Sequence, residues 1–593
     1  MKKNVLLFGM CLLFSIAGAV TLPSRTIQLT KVQAGTLADS LNKVSADTIN
    51  TLTVSGTINA KDFLKGLSNF AQSGKIITNL DLSACSIDSV TYQLYATSFY
   101  QADELPQFAF TGANYVTLKL PSTLKSIATQ AITLAPKLIS LELPSSLVEI
   151  KLNGIQGLPL MSTLTLPAGI KKVALNFNTL TSLVVPDGVT DLDLTYSALK
   201  DGTFNLPSSV VNLNLTGLTK VTSLTLPAAL KSLYLDDTSI PALILPSGLK
   251  RLSMTTNTAI TSLVLPEGMD SIDVHTCKSL TSVNTPSTLT YANLLDTKIS
   301  SSVVPAGAKV FMLGGSGTWG MNTSLTSVTF SPGTNSIIGY NDATSLGVYI
   351  QNASNLTSIT FPSSLVSIGY GSFYNIGITL LDFIPSSVTS IALYAFSSCP
   401  DLKEVKLKEG LQNLGDNVFD GCTSVTKVTL PSTLKSMGAT TFNGCTKITD
   451  VYSYAAVPPA AGTGSFDNAV LTDATLHVTS TTAQALYAAA PVWKDFTDLV
   501  MDISTGVENV RNNSSLSLSG NPVQGSEAVL TFVEAGEGAV LRITDLSGKT
   551  LLQQVVATGS TTTTLSVANL SKGVYLVNYS DNTGKRGMVK MIK

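Results

Sequence analysis

Charge is scarce in this chain. Asp, Glu, Lys and Arg make up 13% of its 593 residues, about half the share usual in soluble domains. The 37 Lys and Arg balance 38 Asp and Glu, so the chain lacks the basic field that nucleic acid or an anionic membrane surface requires, and nucleic acid is excluded as a partner. Histidine is scarcer still, with only His275 and His477, far apart in sequence. That removes His-rich metal sites and most metalloenzyme chemistry. Long apolar runs are missing too. The chain is 44% hydrophobic with a mean hydropathy of +0.31. Beyond the N-terminus, however, no run approaches the roughly 20 residues of a membrane-spanning helix, and the mature chain is expected to carry no transmembrane segment.

What is present begins with an address. Lys2 and Lys3 precede an apolar stretch over residues 5–16, and Ala17-Gly18-Ala19 supplies the small residues at a cleavage site. The pattern predicts a signal peptide over residues 1–19 and export through the inner membrane. A lipidated Cys11 is the other reading, but Met10 stands where that signal places Gly or Ala. Export makes the five remaining cysteines candidates for disulfides.

Between the ends runs a repeat. Prolines closing a Leu-x-Leu-Pro phrase fall at 121, 144, 167, 186, 207, 227, 246, 266, 286 and 305, in steps of 19–23 residues, and the rhythm resumes at 362, 385 and 431 after two longer coils. In the unit 428–450, Val428 and Leu430 alternate with Thr429, so the apolar pair points inward from a short strand. Pro431 has no N–H and ends that strand, while Leu434, Met437, Phe442, Cys445 and Ile448 fill the interior of the coil. One coil cannot bury these groups alone, whereas a stack of coils shares one core.

This unit resembles the BspA-like class of bacterial leucine-rich repeats, approximately L-x-x-I-x-L-P-x-x-L-x-x-I-G-x-x-A-F-x-x-C. Ala395-Phe396 with Cys399, Val418-Phe419 with Cys422, and Thr441-Phe442 with Cys445 match it, whereas units between 164 and 301 are shorter and lack the Ala-Phe segment. From 513 onward the texture changes to six short alternating strands, the pattern of a small β-sandwich. Asn521-Pro522, the stretch 541–549, the stretch 570–576 and the basic tail Lys585-Arg586 to Lys593 resemble the C-terminal sorting domain of the type IX secretion system of Bacteroidota. Gly520 departs from the aromatic usual before Asn-Pro, and an ordinary ligand-binding sandwich is the other reading of this tail.

The expected fold is a β-rich leucine-rich repeat solenoid, a curved rod built on a parallel β-sheet, with N- and C-terminal caps and a small β-sandwich behind it. The expected divisions are signal peptide 1–19, N-terminal cap 20–105, repeats 106–450 with irregular coils over 302–358, C-terminal cap 451–503, linker 504–513 and sorting sandwich 514–593. The N-terminal cap is expected to hold a helix with Leu37, Leu41 and Val44, a strand at 52–54 and a second helix over 62–70. Trp493 is expected to be a core residue of the C-terminal cap.

A search for chemistry finds little. Cys399, Cys422 and Cys445 lie one repeat apart, with Cys277, Asn257 and Asn322 at the matching position of other units. That register describes a buried ladder of small residues rather than disulfides or a metal site. His275 has no further ligand to join it, residues 314–320 lack the ending of a phosphate loop, and Thr318 breaks the hydrolase elbow around Ser316. No catalytic, cofactor or metal residue is predicted, and the chain is expected not to be an enzyme. Two surfaces remain as candidates for binding. The long coils at 302–358 carry Phe311, Trp319, Tyr340 and Tyr349, and extra length in a repeat is expected to project and to bind. The outward strand positions, among them Thr225, Thr329 and Thr360, form a row of short, mostly uncharged groups.

The resemblance implies a non-catalytic binding or adhesion protein, secreted or attached to the outer surface. Its partners would be host or bacterial surface proteins or glycans, met through the repeats, and the type IX machinery, met through residues 514–593. A structural spacer of envelope or biofilm matrix is the alternative, and a secreted hydrolase a remote one.

Overall fold

The computed structural model describes residues 25–593, except 45–47, 69, 71–75, 94–96, 177–178, 317–321, 342–345, 504–515, 520–522, 524, 532–533, 546–548 and 583–585, and except the side chains of 93, 97, 340, 341, 346 and 586–588. The leader and Trp319 lie outside the described residues, as does the side chain of Tyr340. Two compact units divide the chain: residues 1–476 with 487–498, and residues 477–486 with 499–593.

The first unit is a parallel β-solenoid of about 19 turns. Each phrase Leu-x-Leu-Pro folds the same way. The proline carbonyl accepts the N–H three residues later, at 3.1 Å in Pro121–Leu124, 3.2 Å in Pro227–Leu230 and 3.2 Å in Pro431–Leu434. Proline suits this turn because its φ is preset and it brings no N–H that would need a ladder partner. Five residues after the proline a second strand begins, as in Lys172–Asn176, Asp191–Asp193, Ser271–Asp273 and Ser436–Met437. Every coil therefore presents two faces. The first sheet, on the Leu-x-Leu side, already starts in the N-terminal flank, where Thr26–Val32, Thr48–Ile58 and Ile76–Ile87 pair in parallel. It passes into the repeats with Leu80 opposite Leu118. Leu37 and Leu41 of the helix Leu37–Asn42 are buried, and Asp62–Leu67 forms a turn of π-helix.

The shorter coils keep the second sheet continuous and break the first into short pieces, Thr163–Thr165 with Ser182–Val184 and Ser262–Leu263 with Ser282–Val283. From Lys172 to Met312 the second-sheet strands follow one another in register, whereas no ladder forms over residues 222–225 or 242–245. Asparagine side chains stand in for part of the missing ladder. Asn205 accepts from the N–H of Val185 at 2.8 Å and donates to its carbonyl at 2.9 Å, and Asn284 does the same for Leu265 at 2.6 and 3.0 Å.

In the 23-residue coils the Ala-Phe motif becomes a column of rings. Phe373, Phe396, Phe419, Phe442 and Phe466 are fully or nearly fully buried, with successive centroids 5.2, 6.0, 5.0 and 5.4 Å apart and planes within 15°. Trp493 closes the column, edge-on to Phe466, with its indole N–H donated to the Pro459 carbonyl at 2.7 Å.

The irregular coils differ from the expectation of a projecting loop. In the coil over 328–358, Ser336–Asn341 and Leu346–Gln351 pair antiparallel, while residues 317–321 of the preceding coil lie outside the described residues. Ser336–Asn341 also bonds to Ser367–Tyr370, and Leu346–Gln351 to Val310–Gly314. Gly339, at φ +79°, makes this closure: a Cβ there would meet the Tyr370 carbonyl oxygen at 2.3 Å.

The second unit contains two antiparallel sheets. Ser517–Ser519, Glu527–Thr531 and Thr562–Ser566 form one; Thr550–Val555, Val540–Thr544, Val574–Ser580 and Arg586–Ile592 form the other. Leu530, Leu541, Ile543, Leu565, Val577 and Met591 share their core. The basic tail is thus a seventh strand. Met591 alternates with Lys590 and buries completely, a period-two signal that the lysines conceal.

Candidate functional site

The ladder at the coil turns is structural. Cys85, Cys277, Cys399, Cys422 and Cys445 are free and buried. The Cys277 thiol meets the Met254 carbonyl at 2.8 Å, and Cys422 and Cys445 meet those of Phe396 and Phe419 at 3.2 Å. Burial lifts the Cys277 and Cys445 thiols to about 12. Cys422 is also raised, first by its hydrogen bond with Cys399 and then by burial. A thiolate, the form that attacks or binds metal, is therefore disfavoured. Asn257 does more at the same position: its Oδ1 accepts from the N–H groups of Ala259 and Ile260, each at 2.9 Å, and Asn322 does likewise for Ser324 and Leu325.

His275 is not isolated, as its neighbours in sequence suggested. Its Nδ1 lies 2.6 Å from Asp273 Oδ1, and this bond raises its pKa. Among the described residues, no three or more His, Cys, Asp or Glu side chains come together to hold a metal ion.

Two of the four aromatic side chains expected at the bulge, Phe311 and Tyr349, are not presented to solvent. Phe311 and Tyr349 are buried, because Phe311 stands opposite Ala292 in the second sheet and Tyr349 opposite Met312, with its hydroxyl 3.0 Å from the Met312 sulfur. Length that enters a sheet brings its side chains into the core. Trp319 and the side chain of Tyr340 lie outside the described residues. The row of outward first-sheet positions is exposed: Thr225, Thr329 and Thr360 face solvent, and so do Val184, Ile244 and Val264, at 76%, 90% and 77%. Thr225 lies on a segment without a ladder.

A concavity lies on the other face, which the Leu-x-Leu-Pro phrase does not mark. A depression of about 300 Å³ opens on the second sheet across the coils from Glu149 to Tyr234. Its cause is local. Glu149–Gln156 slips register against Lys172–Asn176 between Ile150 and Ile155, and Leu152 is extruded to 58% exposure. Next to it Ala174 is short, and Tyr234 stands at the far end, 39% exposed. Between them lie two rows of polar side chains on consecutive coils, with Asp191 opposite Asn212 and Asp193 opposite Asn214. The Asn212 amide donates to Asp191 at 2.7 Å, and the Asn214 amide to Asp193 at 3.1 Å. Asp193 also accepts from the N–H and hydroxyl of Thr195. Lys172 faces Glu149 at 3.7 Å, and Lys151 faces Glu104 at 3.1 Å. The carboxylates are thus engaged as acceptors within the sheet. The sequence does carry a signal for this face: polar-apolar-polar triplets such as Asp191-Leu192-Asp193 and Asn212-Leu213-Asn214 start five residues after each proline.

Comparison with known proteins agrees with this architecture. Residues 103–216 and 321–449 match the BspA type leucine rich repeat region, in six copies, and residues 521–593 match the secretion system C-terminal sorting domain. No curated protein matches the chain. Among solved structures, a leucine-rich repeat protein from Bacteroides ovatus is 21% identical, with 63% of this chain and 86% of that one covered and a TM-score of 0.32. A leucine rich cell surface protein from Faecalibacterium prausnitzii is 16% identical over 62% and 86%, with a TM-score of 0.26. The pneumococcal vaccine antigen PcpA is 14% identical over 70% and 96%, with a TM-score of 0.28. Residues 103–216 and 321–449 thus carry BspA-type leucine-rich repeats, and residues 521–593 a secretion-system C-terminal sorting domain.

Proposed function

We propose that the chain is a surface-displayed or released contact protein, which adheres to host or bacterial macromolecules through its repeats and performs no chemistry. The sorting domain supports export to the cell surface, with residues 514–593 engaging the secretion machinery. The observation that carries the binding reading is the second-sheet hollow between Leu152 and Tyr234, where polar side chains converge from four successive coils. Concave, mixed-polarity surfaces on a rigid scaffold are where ligands are held. The test is an array of matrix proteins, cell extracts and glycans probed with the purified mature chain. A saturable partner is expected; uniform silence would refute adhesion and leave a spacer of envelope or matrix.

A further inference from the structure

We propose that the second-sheet hollow is a binding site for an uncharged oligosaccharide, laid along the stack from Leu152 to Tyr234. The inference rests on the contact reading and names its ligand class.

Charge comes first. The walls carry Glu149, Asp191 and Asp193 against Lys151 and Lys172, and all five are engaged with neighbours. A nearly balanced, internally paired set gives a polyanion or polycation nothing to hold at physiological salt. Hydrogen bonding comes second. A carboxamide has two N–H donors and two acceptor lone pairs, more than the single bond from Asn212 to Asp191 uses. Asn and Asp alternating across coils place donor and acceptor side by side, the arrangement that meets a sugar hydroxyl, itself donor and acceptor. Shape comes third. The floor is the interior of a sheet rather than its edge, with Lys172–Asn176, Asp191–Asp193 and Asn212–Asn214 each paired on both sides, so a peptide cannot add to it as a strand. The ring of Tyr234 at one end offers a flat apolar face to the C–H side of a sugar. Beyond Lys151 the surface continues into a second depression of about 290 Å³ that contains Phe99, 61% exposed on the hairpin of Val90–Gln93 and Thr97–Tyr100. Aromatic side chains therefore stand at both ends of a trough whose floor is largely apolar and whose polar groups are the Asp and Asn side chains.

The probe is a panel of immobilised neutral hexose and N-acetylhexosamine oligosaccharides, with sulfated and sialylated forms of the same chains, presented to the full mature protein. Neutral chains are expected to bind, with affinity nearly independent of salt. Tyr234→Ala should weaken binding by about tenfold, the worth of one aromatic contact. Asn212→Ala should also weaken it, and thermal unfolding should confirm that both variants remain folded. Binding confined to sulfated or sialylated chains, or lost on Lys172→Ala but not Tyr234→Ala, would overturn the proposal. If the protein adheres to matrix proteins or cells, ignores every neutral chain and is indifferent to Tyr234→Ala, the glycan site falls while the contact reading stands. If it binds nothing, both fall.

Discussion

Replacing Phe419 by alanine puts the ring column to a quantitative test. The ring is fully buried between Phe396, 6.0 Å away, and Phe442, 5.0 Å away. Returning a buried phenylalanine side chain to water costs about 1.5–3 kcal/mol. The gap left behind adds to this. Its two neighbours are fixed by their own coils and cannot close over it, which places the total near the 3–5 kcal/mol typical of buried Phe→Ala. In a solenoid each coil touches only its neighbours, so the loss should be local. Suitable reporters are the amides of Phe396, Phe419 and Phe442, which bond to the next coil at Val418, Thr441 and Ser465 at 3.0, 2.9 and 2.8 Å. Hydrogen exchange followed by mass spectrometry should show protection over residues 373–466 falling by about two to four powers of ten. Protection over 190–300, where no rings stack, should hold. Phe419→Leu, which restores most of the volume, should cost about 1.5 kcal/mol or less. A loss below about 1 kcal/mol for the alanine variant, or one spread evenly along the stack, would refute a ring column that couples coils.

Native protein should resist maleimide at pH 8 and take up label at Cys85, Cys277, Cys399, Cys422 and Cys445 only in denaturant, since all five are buried and the thiolate is the reactive form; fast labelling of the folded chain would contradict the ladder. Asn257→Leu should destabilise by about 2–4 kcal/mol, because the N–H groups of Ala259 and Ile260 lose their acceptor in a buried turn, and chemical denaturation that finds it neutral would count against this. Only two imidazoles exist, so proton NMR can follow each. His275 should titrate above 6.5, and Asp273→Asn should bring it back towards that value. Its bond with Asp273 contributes stability in full below the unfolded value and loses it as pH rises through the raised folded value. A His275 resonance titrating at or below 6.5 would dismiss the pairing.

Repetition made the solenoid legible. Each Leu-x-Leu-Pro phrase states its own turn, and the three Ala-Phe-type motifs state where a ring must lie. The position shared by Cys399, Asn257 and Asn322 could be read as a turn-satisfying ladder because register alone fixes what stacks on what. The hollow was not legible, since it depends on a register slip after Ile150 and on the shortness of Ala174, and neither leaves a motif. At Phe311 and Tyr349 the bulge misled for a related reason. Additional residues project only when no neighbouring strand will take them, and here Val310–Gly314 and Ser367–Tyr370 both did. The tail hid its last strand because Lys590 and Lys593 drew attention to charge rather than to the alternation around Met591.

The pairing of each coil with only the coils before and after it has a mechanical consequence. A pull along the axis meets no bond that spans the whole stack, so coils can peel away singly from the end under load. Each coil of 19–23 residues that opens lets out about 65–80 Å of chain. A tether built this way lengthens in steps while the coils still closed keep their surface intact.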